Sequence, residues 1–130
     1  MNPYDRYCVD AHGNYYVGKH LILDFFGIDQ SFTNDALVKM FEDCCNDINA
    51  TIMQTQVQDF GEGCGTTGII ILAESHLSWH HYSEANSIFI DIFTCGTIDP
   101  TGALPRMKKF FKQSKVDEVF LTRGRVHHQK

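Results

Sequence analysis

Ser75 stands directly after the acidic residue Glu74 and just past an apolar run, Ile69 to Ala73. His80 follows five residues later, and Cys95 twenty residues after the serine, at the end of a second apolar run from Ile88 to Phe93. A hydroxyl at the end of a strand can attack the peptide carbonyl that precedes it. A histidine titrates near neutrality and can move a proton. A cysteine can give a proton or act as a nucleophile. These three residue types at the ends of neighbouring strands suggest a chain that cuts itself between Glu74 and Ser75 to make its own reactive group.

The elements that must position them belong to one domain, residues 1–130, since 130 residues suffice for a single core. A hydrophobic content of 43% and a charged content of 21% are those of a globular protein. A net charge of −5 argues against nucleic acid as a partner and is compatible with a cationic small molecule. Nothing near the N-terminus resembles a signal peptide, and no apolar run reaches membrane-spanning length, so neither export nor a membrane is expected. Five cysteines, Cys8, Cys44, Cys45, Cys64 and Cys95, show no metal-ligand spacing and read as reduced thiols of a cytoplasmic protein.

Residues 1–14 read as a loose polar arm. Val17 to Phe26 reads as a strand ended by Gly27. Leu37, Met40, Phe41, Cys44 and Ile48 then repeat at helical spacing behind a Thr33 or Asn34 cap, with Lys39, Glu42, Asp43 and Asp47 turned outward. Ala50 to Val57 alternates as a half-buried strand. Gly61, Gly63, Gly65 and Gly68 mark a flexible loop. Ile69 to Ala73 and Ile88 to Phe93 read as fully buried strands, the second interrupted by Asp91, and as antiparallel neighbours. A second helix is expected with Pro105 in its first turn and Leu104, Met107, Phe110 and Phe111 on its apolar face. Val116 to Thr122 closes the domain, and the tail from Arg123, with His127 and His128, is expected to fray. The order β-α-β-β-β-α-β implies an α+β two-layer sandwich, a mostly antiparallel sheet with both helices on one face. Its second face would be left for a partner to cover.

Three strings carry a resemblance. Gly18-Lys19-His20-Leu21-Ile22-Leu23-Asp24, Ile71-Leu72-Ala73-Glu74-Ser75-His76-Leu77-Ser78 and Asp91-Ile92-Phe93-Thr94-Cys95-Gly96 resemble the small prokaryotic S-adenosylmethionine decarboxylases, from about Val17 to Gly124. The resemblance implies a pyruvoyl-dependent enzyme, processed into 1–74 and 75–130, that decarboxylates S-adenosylmethionine for spermidine biosynthesis. It implies that Ser75 becomes the pyruvoyl cofactor, which forms a Schiff base with the substrate amine, and that His80 acts in the processing elimination. Thr67, eight residues before Ser75, stands where the family carries a serine. Cys95 corresponds to the proton donor and must be a neutral thiol to act. Glu84 corresponds to the carboxylate that holds the substrate ribose, and Phe60 is the candidate to stack on adenine. The loop from Phe60 to Thr67 is one residue longer than the family's and lacks its proline. A homodimer with the active site near the interface is implied too.

Other classes compete. A pyruvoyl-dependent arginine decarboxylase shares the processing string. His76, His80, His81 and Cys95 offer four zinc-type ligands, but His76 and His80 would face together only on a helix. A hydrolase using Cys95 and His80 leaves the Glu74–Ser75 junction unexplained. A non-catalytic relative would have no need to keep serine, histidine and cysteine together. No metal is expected.

Overall fold

The computed structural model describes residues 7–126. Its elements are β1 (Cys8–Val9), β2 (Tyr15–Phe26), α1 (Asn34–Asp47), β3 (Ile52–Asp59), β4 (Thr66–Leu72), β5 (Ser75–Tyr82), β6 (Ser87–Cys95), α2 (Leu104–Phe110) and β7 (Lys115–Val126). Seven strands form one antiparallel sheet in the order β7-β2-β6-β5-β4-β3, with β1 paired to the start of β2. Both helices cover one face, giving the expected two-layer α+β sandwich.

The core lies between that face and the helices. Leu21, Leu23 and Phe25 of β2, Ile70 and Leu72 of β4, Leu77 and Trp79 of β5, and Ile88, Ile90 and Ile92 of β6 are all buried there. Alternation along each strand sends every second residue to the opposite face. Helix α1 contributes the predicted stripe of Leu37, Met40, Phe41 and Cys44, with Cys45 beside it. Its cap is Thr33, whose Oγ1 accepts the Ala36 N–H at 3.0 Å. Burial pushes the thiols of Cys44 and Cys45 up to about 12, so both stay protonated core residues. Trp79 stacks on Phe41 at 4.6 Å and donates its indole N–H to Thr66 Oγ1. A side chain at Gly68 would meet the Trp79 ring at 2.1 Å, so only glycine lets β4 pass beneath the indole. Helix α2 follows a 3-10 turn at Pro100–Ala103, has Pro105 in its first turn, and buries Met107 and Phe111.

Several expectations need correction. The stretch after Ser75 is not a connection but a full strand, β5. It lies between β4 and β6, which therefore are not neighbours. Leu77 and Trp79 point inward between outward His76, Ser78 and His80, a period-two pattern with only two apolar members. The run from Ile69 is not fully buried either. Ile70 and Leu72 are enclosed, while Ile69 and Ile71 remain 37% and 40% exposed on the helix-free face. The 50–57 strand is shifted to Ile52–Asp59, and a bulge between Ile52 and Gln54 leaves Met53 66% exposed. The polar arm contains β1, and the expected fray from Arg123 is instead the last part of β7, paired to Tyr15, Tyr16 and Gly18. His127 and His128 lie outside the described residues.

Candidate active site

Strands β4 and β5 form a hairpin in which Leu72 pairs with Ser75, leaving Ala73 and Glu74 as its two-residue turn. Such turns favour residues that accept positive φ. Here the positive φ falls on Ser75, at 139°. A side chain in that nearly glycine-only region costs about 1–3 kcal/mol and persists only where the surroundings enforce it. The enforcing contacts are visible. The Glu74 carbonyl accepts the Cys95 N–H at 2.9 Å. The Glu74 carboxylate accepts the Thr51 N–H at 2.9 Å and the Thr51 hydroxyl at 3.2 Å. The Ala73 N–H is donated to the Thr51 carbonyl at 2.9 Å.

This geometry has a direct chemical meaning. The peptide between Glu74 and Ser75 has its carbonyl oxygen on a fixed amide donor, which favours negative charge on that oxygen during attack. Ser75 sits opposite Thr94, one residue from Cys95, so the serine and cysteine ends of β5 and β6 are adjacent. The backbone of Glu74 and Ser75 thus lies beside that of Cys95 within one chain.

His80 is not brought to them. It lies five residues along β5, roughly 16 Å from Ser75 at about 3.3 Å per strand residue. Its partner is Thr67, opposite it on β4, with Thr67 Oγ1 3.1 Å from His80 Nδ1. A cleft of about 230 Å³ lies beside this pair, lined by Phe60, Cys64, Thr67, His81, Tyr82 and Glu84. It joins the two substrate-binding candidates. Glu84 stands in the 3-10 turn after β5, and Phe60 is 57% exposed beside the glycine turn, where its N–H is donated to the Gly65 carbonyl. The predicted residues therefore form two groups, Glu74, Ser75 and Cys95 at one end of β5 and Thr67, His80, Phe60 and Glu84 at the other.

Between them on the helix-free face lies a cluster that sequence reasoning missed. Asp91 Oδ2 accepts Nε2–H of His20 at 2.7 Å and Nε2–H of His76 at 3.0 Å, and Oδ1 accepts the Ser78 hydroxyl. Arg123 Nη1 donates to His20 Nδ1 at 3.0 Å, with its guanidinium over the Phe93 ring. Burial alone would raise the Asp91 carboxyl, but hydrogen bonds from His76, Ser78 and His20 outweigh it and hold the group well below the usual carboxylate range. The available signal was Asp91 itself, an acid breaking an otherwise apolar strand.

The four-ligand set is not assembled. His81 faces the helices, 5.2 Å from the Phe32 ring, where burial lowers its pKa, while His76 and His80 lie on the other face. Among the described residues, the group whose donor atoms converge closely enough for a metal is His20, His76 and Asp91. The guanidinium on His20 Nδ1 requires the ring proton on Nε2, so this group reads as a hydrogen-bonded array around one carboxylate oxygen. All five cysteines are free thiols, and no described helix is long and apolar enough to cross a membrane.

Comparison with known proteins bears on the same residues. A family model described as S-adenosylmethionine decarboxylase matches residues 19–124. The S-adenosylmethionine decarboxylase proenzyme of Methanococcus aeolicus is 39% identical over 112 residues, 84% of this chain and 95% of that protein. The proenzyme of the same name from Thermomicrobium roseum is 31% identical over 111 residues, 85% of this chain and 96% of that one. The crystal structure of the adenosylmethionine decarboxylase from Aquifex aeolicus matches with a TM-score of 0.73 at 26% identity, over 88% of this chain and 97% of that chain. With most of its length matched in sequence and in fold, the chain belongs to the S-adenosylmethionine decarboxylase family.

Proposed function

We propose that this chain is a self-cleaving proenzyme whose mature form uses a pyruvoyl group to decarboxylate S-adenosylmethionine to S-adenosylmethioninamine and carbon dioxide, as a step of spermidine biosynthesis in the cytoplasm. The observation that carries the reading is the Glu74–Ser75 junction, a serine in strained backbone whose preceding carbonyl oxygen rests on the Cys95 amide. Ser75 Oγ adds to the Glu74 carbonyl carbon, and the peptide nitrogen leaves as an amine, converting the amide to an ester. A base then removes the α-proton of residue 75, and the Glu74 carboxylate is expelled by β-elimination. The remaining dehydroalanine tautomerises and takes up water, releasing ammonia and leaving a pyruvoyl cap on the chain 75–130. Relief of the strain at Ser75 favours the first step.

The pyruvoyl carbonyl supplies an electron sink for an α-amino acid losing its carboxylate. Cys95, adjacent to position 75, is the proton donor to the carbon left behind. Glu84 and Phe60 stand at the His80 end, so they hold the ribose hydroxyls and adenine of a substrate at a second copy's position 75, and their shared cleft favours a nucleoside substrate over arginine.

His80 and Thr67 serve the elimination, and since they cannot reach Ser75 of their own chain they serve a second copy. A homodimer joined through the helix-free faces brings one copy's Thr67–His80 end to the other's Ser75–Cys95 end. Exposed Ile69, Ile71, Phe89, Val119 and Leu121 give that face the apolar area to associate.

An intact-mass spectrum tests the cleavage. Two fragments split after Glu74, the second lacking a free amine, are expected, and Ser75→Ala should leave one unbroken chain. Wild-type protein that stays intact and is active overturns the reading. Release of labelled carboxyl carbon from S-adenosylmethionine and from arginine, measured side by side, decides the substrate. Coexpression of Ser75→Ala with His80→Ala chains should restore cleavage of the second chain if the site is shared between copies.

A further inference from the structure

The two residues on either side of Ser75 are each tied down through a side chain. Glu74 is held on Thr51, and His76 is held on Asp91. The second tie is the more extensive. Asp91 on β6 also receives His20 from β2 and Ser78 from β5, and Arg123 from β7 braces His20. The anchor for residue 76 therefore spans four strands.

Cleavage treats these ties unequally. The first chain ends at Glu74, which keeps its Thr51 contacts and the Cys95 amide. Residue 75 becomes a chain terminus with one covalent neighbour, His76, and a pyruvoyl group has no backbone N–H with which to rejoin the sheet. Strand ends fray unless something secures them. We propose that His76, through Asp91, is a positioning residue that holds Ser75 in its strained conformation before cleavage and keeps the reactive terminus in register afterwards. This rests on the pyruvoyl reading above.

The choice of residues favours positioning over simple fold stability. β5 already has hydrogen-bonded neighbours on both sides, β4 and β6. Where stability alone is served, an apolar group in place of a half-buried charge network is often neutral or better. Here an ionised acid stands in an otherwise apolar strand, and its three donors include the side chain next to the reacting residue. The Arg123 contact to Nδ1 leaves His20 with its Nε2–H aimed at Asp91, which orders the array without any ion.

The test compares His76→Ala, His76→Gln and wild type for the rate of cleavage after Glu74, then for kcat and KM of the processed fraction. Small misplacements of reacting groups cost on the order of a hundredfold in rate, so His76→Ala is expected to slow cleavage by about ten- to a hundredfold and to lower kcat with little change in KM. His76→Gln keeps an N–H that can reach Asp91 and should recover most of both. Ser78→Ala, which removes one donor to Asp91, should give a smaller loss of the same kind and serves if His76→Ala does not fold. Cleavage and kcat of His76→Ala equal to wild type would overturn the proposal, as would a Gln variant no better than the Ala variant. A wild-type chain that never cleaves would instead overturn the pyruvoyl reading itself.

Discussion

The two faces of the sheet are made by the same strands and follow opposite rules. On the helix side Leu23, Leu77, Trp79 and Ile92 are fully enclosed, and each is replaceable only by something of its own shape. On the other side the alternate residues of those strands include His20, His76, Ser78, His80 and Asp91, partnered by hydrogen bonds, with isoleucines and a phenylalanine left partly exposed between them. One face defines the fold, while the other holds chemistry in place. A period of two lets a single segment such as Leu77-Ser78-Trp79-His80 do both.

That division can be broken in four places. Trp79→Ala empties the centre of the enclosed face and should cost about 3–5 kcal/mol in denaturant unfolding, a large part of a typical domain's stability. His80→Ala, its neighbour on the open face, should leave stability within about 0.5 kcal/mol of wild type while slowing self-cleavage by about 10²–10⁴ if it moves the α-proton. Cys95→Ala should leave substantial cleavage and impair turnover, and equal loss of both would remove its assigned role. Ile71→Lys puts a charge on the exposed apolar area. It should shift the proposed dimer to monomer in sedimentation, because a desolvated charge opposes association.

The smallest effect is in pH. The Asp91 carboxyl titrates lower in the folded chain than the ordinary value of about 3.9 that it has when unfolded. Its stabilisation is therefore fully present above that value and lost as pH falls below it toward the folded one. Asp91→Asn should melt lower than wild type at neutral pH, with the gap narrowing below about pH 4. Melting curves from pH 7 to 3 would read this directly, and a gap independent of pH would show that the array does not hold its carboxylate ionised.

Much of the enclosed face was legible because its signal is periodic. The helix stripe from Leu37, the β2 strand and the α2 register around Pro105 follow from spacing alone. The open face was legible only as separate residues. Ser75, His80 and Cys95 stand out by type, yet nothing in their spacing says that β5 carries His80 away from Ser75 toward Thr67. That depends on the two-residue turn at Ala73–Glu74, which allows pairing to start at Ser75 itself. Only Leu77 and Trp79 mark β5 as half-buried, too few to distinguish it by pattern from a link between two apolar runs. Asp91 was visible as an interruption, but its partners His20, His76 and Ser78 lie on two other strands, and side chains so distant in sequence announce no contact.

The strand order has a consequence for the processed molecule. Cut after Glu74 as proposed, the chain would carry β1 to β4 in its first fragment and β5 to β7 in its second, so β2 would lie between β6 and β7 of the other polypeptide. Neither piece owns a complete sheet, and unfolding of the cut protein becomes a dissociation. Its melting temperature should rise with protein concentration, whereas that of uncut Ser75→Ala should depend on concentration only through association of whole subunits.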